Sequence, residues 1–88
     1  MKKVYEITKL IENNYKRSKI YTIALRGEYL TLDATFSSCG KEPLVALRIL
    51  NKYPEIRVVH FTGGWIENVY TRNTLKYGGY KVKENKNE

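Results

Sequence analysis

The stretch KIYTIALRGEYLTLDATF, residues 19–36, constrains this chain more than any other. Two runs rich in β-branched and aromatic residues flank Gly27-Glu28, and a two-residue loop with Gly first suits a type II′ hairpin turn. Closing the chain there sets Arg26 against Tyr29, Leu25 against Leu30, Ile23 against Leu32 and Tyr21 against Ala34. Alternation then places Tyr21, Ile23, Leu25, Leu30, Leu32 and Ala34 on an apolar side. Thr22, Ala24, Arg26, Tyr29, Thr31 and Asp33 fall on the other. A sheet with one apolar face requires a covering layer.

Two helical segments supply that layer. From Lys3 to Lys16, Val4, Ile7, Leu10, Ile11 and Tyr15 recur at three- and four-residue steps, with Lys9, Glu12 and Lys16 on the opposite face. In SSCGKEPLVALRILNKYP, Pro43 fits a first helical turn and Pro54 follows the last. Leu44, Val45, Ala46, Leu47, Ile49 and Leu50 leave this helix apolar around most of its girth, so it needs cover on more than one side. The sheet and first helix together would provide it, or a homodimer through Leu44, Leu47 and Leu50.

Gly-Gly occurs twice, at 63–64 and 78–79. Closing the chain on Gly63-Gly64 pairs Thr62 with Trp65, Phe61 with Ile66, His60 with Glu67 and Val58 with Val69. Closing it on Gly78-Gly79 pairs Tyr77 with Tyr80, Lys76 with Lys81 and Leu75 with Val82, a basic C-terminal β-ribbon. Glycine accepts the positive φ these turns require. The rival parse is a third helix over 66–77 with Gly78 at its C′ position; Thr71, Asn73 and Thr74, poor helix formers, count against it. The expected fold is α+β, ordered α-β-β-α-β-β. Two helices lie on one face of a mainly antiparallel sheet, in one domain over 1–84 with a polar tail at 85–88.

At 88 residues there is room for one thin core. No apolar run nears the roughly 18 residues that span a bilayer, and Glu6, Lys9 and Glu12 interrupt what would be a signal peptide after Lys2-Lys3. A cytoplasmic location is expected, and the single Cys39 forms no internal disulfide. The prominence of Phe, Tyr, Met, Ile, Asn and Lys, all with AT-rich codons, hints at an AT-rich genome such as that of a low-GC bacterium or its mobile elements, phage included.

Signals for chemistry are weak. Cys39, His60 and Asp33 lack any family signature of a nucleophile, base and orienting group. One His and one Cys show no metal-ligand spacing, so neither metal nor cofactor is expected. SSCGKE has the Gly-Lys of a phosphate loop, but Thr35 stands where an earlier Gly is needed and Glu42 where Ser or Thr is needed. No enzyme is expected.

Charge is the stronger signal. The formal net charge is +7, which favours an anionic partner. Lys16, Arg17, Lys19 and Arg26 follow one another with no acid between them, and Arg72, Lys76, Lys81 and Lys83 crowd the C-terminal region. Tyr29, Tyr77 and Tyr80 stand near them as stacking platforms for bases. These residues form the expected surface of a small non-enzymatic protein that contacts nucleic acid through phosphates. The alternative partner is an acidic protein surface, as for an anti-CRISPR-like inhibitor of a host nucleic-acid-processing complex.

Overall fold

In a computed structural model the chain is described over residues 2–36, 40–63 and 67–83. The order is α1 (Lys2–Asn14), β1 (Lys19–Arg26), β2 (Tyr29–Thr35), α2 (Lys41–Lys52), β3 (Val58–Phe61), β4 (Asn68–Tyr70) and α3 (Arg72–Tyr77). The strands form one mixed sheet in the order β1-β2-β3-β4. The outer pairs, β1 with β2 and β3 with β4, are antiparallel, and the central pair is parallel. The α+β class and the element order agree with the sequence, with α3 added at the end. The predicted tail at 85–88 lies outside the described residues.

The first hairpin keeps its expected register from Arg26–Tyr29 to Ile23–Leu32. Gly27 has φ +60 while Glu28, like every described non-glycine residue, keeps negative φ, as a type II′ turn requires. One correction applies at its far end. A bulge between Ile20 and Thr22 makes Ile20, not Tyr21, the partner of Ala34. Ile20 thereby packs against the core, while Tyr21 is left 53% exposed.

The parallel pair joins Leu30 to Val59 and Leu32 to Phe61, so the buried residues of β2 and β3 share one face. Ile7 and Ile11 of α1 and Val45, Ala46, Ile49 and Leu50 of α2 complete the core over that face. Among the described residues no polar side chain is buried. The opposite face of the sheet, with Tyr29, Thr31, Val58, His60 and Val69 side by side in the register, carries no helix layer.

The β3–β4 hairpin forms with a longer loop than expected. Phe61 pairs with Asn68 and His60 with Val69, so Thr62 to Glu67 connect the strands. The expected Phe61–Ile66 and Val58–Val69 pairs are therefore displaced by two positions. Gly64, Trp65 and Ile66 lie outside the described residues, and with them the Thr62–Trp65 pair. Gly63 has φ +95, and a Cβ there would run into the Asp33 carboxylate, so loop and β2 approach as only glycine allows.

The terminal ribbon does not form. Arg72–Tyr77 is helical, so Leu75–Val82, Lys76–Lys81 and Tyr77–Tyr80 are not strand pairs. The rival helix was right in kind but starts six residues later, because β4 occupies Asn68–Tyr70. Thr71 caps α3: its hydroxyl accepts from the Thr74 N–H at 3.2 Å, and the Thr71 N–H donates to Thr74 Oγ1 at 2.9 Å. At the other end Gly79, with φ +92, takes the left-handed position. Its N–H donates to the Lys76 carbonyl and that of Tyr80 to the Leu75 carbonyl, each at 3.0 Å, the bond pair of a Schellman motif.

Candidate nucleic-acid interface

Helix α2 organises the surface as well as the core. Its first turn is tied to β4 by Asn68 Nδ2, which donates to Glu42 Oε1 at 2.9 Å. Its last turn ends in unpaired carbonyls that any helix leaves exposed. Arg72 Nη2 donates to the carbonyls of Leu50 at 2.7 Å and Tyr53 at 3.1 Å and so closes that end. Between them, Asn51 holds the chain after α3. Its Oδ1 accepts from the Lys83 N–H at 2.8 Å and its Nδ2 approaches the Lys81 carbonyl at 3.5 Å. The girth that needed extra cover is covered by the C-terminal segment, with Tyr80 and Val82 packed on the core.

One stripe of α2 stays open. Lys41, Leu44, Arg48 and Lys52 recur at three- and four-residue steps and line a groove of about 850 Å³. Lys83, Tyr15 and Leu47 complete its walls, with the amides of Asn14 and Asn51 at the sides. No carboxylate among the described residues lines it. Among the described residues, none of Lys41, Arg48, Lys52 and Lys83 is in an ion pair, whereas Lys3, Lys9 and Arg57 pair with Glu55, Glu12 and Glu28. A second recess of about 490 Å³ shares Asn14, Arg48 and Lys52 with the first and extends it along α1.

Arg48 is held in place at the groove wall. Its Nε donates to the Tyr15 hydroxyl at 3.4 Å, and its guanidinium lies 5.9 Å from that ring's centroid. Tyr15 in turn rests edge-on against Phe36, with centroids 5.8 Å apart. An arginine ordered this way loses less freedom on meeting an anion than a free one would.

The residues singled out from the sequence are dispersed over the molecule. Lys16 and Arg17 lie in the exposed turn after Tyr15, beside the groove in the chain, and Lys19 opens β1 with its ammonium 5.2 Å from the Tyr21 ring. Arg26 sits at the hairpin tip, about 23 Å away along an eight-residue strand. Arg72 is occupied by backbone carbonyls. Lys76 is exposed on α3 and Tyr77 is 96% exposed, while Tyr80 is half-buried in the helix cap. Of the C-terminal cations Lys83 reaches the groove, and Lys81 lies beside it through its own carbonyl. Leu50 is 1% exposed, so the expected dimer stripe Leu44, Leu47 and Leu50 does not exist as a surface. Lys41, Arg48 and Lys52 were missed because acids and apolar residues interrupt them in the chain. Only helical spacing reveals that they share a stripe.

His60 and Tyr29 meet on the open sheet face. Tyr29 Oη is 3.2 Å from His60 Nδ1, and Glu67 Oε1 is 3.4 Å from Nε2, so both ring nitrogens are engaged. The expected His60–Glu67 pairing thus exists between side chains although the strand register differs. Cys39 lies outside the described residues, and no cluster of three metal-ligating side chains occurs among those described. No helix among them is long and apolar enough to cross a membrane. No protein family, curated protein or solved structure matches this chain.

Proposed function

We propose that this protein is a small non-enzymatic binding protein whose α2 groove takes the phosphates of a nucleic acid. One observation carries the assignment: four cations, Lys41, Arg48, Lys52 and Lys83, line one groove, and among the described residues none of them is in an ion pair and no carboxylate shares that lining. Lys41 and Lys52 are about 16 Å apart along the helix axis, with Arg48 between them, so the cations suit an extended charged strand better than a single small anion. Phosphate contacts position a strand and carry little sequence information, so broad sequence tolerance is expected.

The test is binding to single- and double-stranded DNA and RNA across a salt series. If four cations neutralise four phosphates, log affinity falls against log salt with a slope of about −3 to −4. Replacing Arg48 and Lys52 by Glu flattens that slope by about 2. Arg26→Glu, at the hairpin tip, leaves it nearly unchanged, because screening acts within about 10 Å at 0.1 M salt. Absence of binding at low salt sinks the proposal and directs attention to an acidic protein surface as the partner.

A further inference from the structure

β1 is an edge of the sheet, and it is the long one: eight residues against three in β4 at the other edge. In a two-residue hairpin the pair flanking the turn exchanges hydrogen bonds, so Arg26, Ala24 and Thr22 direct their N–H and C=O groups at β2. Ile23 and Leu25 direct theirs outward. No described backbone bond outside the regular elements involves β1. Such edges are usually blunted by charge, proline or a bulge. Here Lys19 and Arg26 stand at the two ends and the bulge lies at Tyr21, which leaves Thr22 to Leu25 free of charge, glycine and proline.

We infer that this window pairs with its own copy, antiparallel about a two-fold axis at Ala24, joining two sheets into one of eight strands. The register follows from the residues. Ile23 and Leu25 are the outward pair, so Ile23 of one copy exchanges hydrogen bonds with Leu25 of the other. Both side chains are half-buried at the rim of the core and would be covered by each other. Ala24 meets itself at the non-hydrogen-bonded position, where Cα atoms approach to about 4.5 Å and a small side chain fits. Thr22 meets Arg26, so no like charges face one another. Pairing ends where it must, at the hairpin loop on one side and the bulge on the other. With the two-fold axis moved to Leu25, Ile23 meets Gly27 in the copy's loop, and moved on to Arg26 it sets Arg26 against Arg26; moved the other way to Ile23, it pairs Leu25 with Tyr21 at the bulge.

The inference is independent of the groove, because no β1 residue lines it. It is tested by sedimentation of the full chain over a range of concentrations. The wild type should sediment as a dimer that dissociates on dilution. Ala24→Lys, on the exposed sheet face, sets two ammonium groups against each other and should raise the dissociation constant at least tenfold, as should Ala24→Glu alone. Mixing the two variants should restore the dimer, a result that misfolding of either would not give. In a Cys39→Ser background, Ala24→Cys should form a symmetric disulfide under mild oxidation. A wild type that stays monomeric at every concentration overturns the inference. So does a dimer indifferent to both charged variants.

Discussion

Arg72 exposes the difference between a charge counted and a charge available. In the sequence it belongs to the C-terminal cluster of cations, yet its guanidinium bridges two carbonyls at the end of α2. Arg72→Met should therefore cost about 1–3 kcal/mol of folding stability, the range for charged hydrogen bonds left unmade, measured by urea unfolding. Under conditions where the variant is folded, its affinity for a polyanion should match the wild type within about twofold. Loss of affinity without loss of stability would return Arg72 to the binding surface. Arg48 is its counterpart: also tethered, but to a tyrosine ring and hydroxyl that leave most of its donors free.

Among the elements, α3 is where local chemistry overruled composition. Thr71 and Thr74 counted against a helix as residues of low interior propensity. They are not interior: one is the N-cap and the other the third helical position, where hydroxyl side chains satisfy the orphan N–H groups. Thr71→Ala should cost about 0.5–2 kcal/mol and speed amide exchange at Leu75 and Tyr77 first, as followed by NMR. Uniform loss of protection across the sheet would deny α3 this separate stability. The first hairpin was legible because two signals coincide there, the turn residues and the alternation on both strands. The third helix was not, since six residues carry too little periodicity and its glycines read equally well as a hairpin loop. Likewise the bulge at Tyr21 left no mark in the apolar pattern, because Ile20 and Tyr21 are both apolar. The groove cations escaped for a related reason: charge runs in the chain are not charge clusters in space.

For the whole molecule, two buried or half-buried tyrosines tie stability to alkaline pH. Tyr53 is 5% exposed, and burial, then the nearby Glu6 carboxylate, raise its hydroxyl above the ordinary value of 10.0. Burial, then Glu42, raise Tyr70 in the same direction. In the folded state each proton is held more tightly than in the unfolded chain. The contribution is therefore complete below about pH 10 and is lost as pH rises through the folded-state values. Thermal melts should show Tm falling above pH 10, and Tyr53→Phe with Tyr70→Phe should make that fall shallower. An unchanged slope in the double variant would show that these two hydroxyls do not set the alkaline limit.

The parallel pairing of β2 with β3 bears on the order of assembly. The β1–β2 hairpin closes across two residues, whereas β3 reaches β2 only after all of α2 and its flanking loops have been threaded between them. Closing the longer loop costs more chain entropy, though each doubling of length adds only about 0.6 kcal/mol. Sequence-distant contacts also slow folding. The hairpin can therefore close through local contacts before β3 docks, with Leu30 and Leu32 on a strand whose second edge is vacant. For that interval the strand at the centre of the finished sheet is the one most open to pairing with a stranger, and the speed with which α2 delivers β3 decides between a soluble chain and an aggregate.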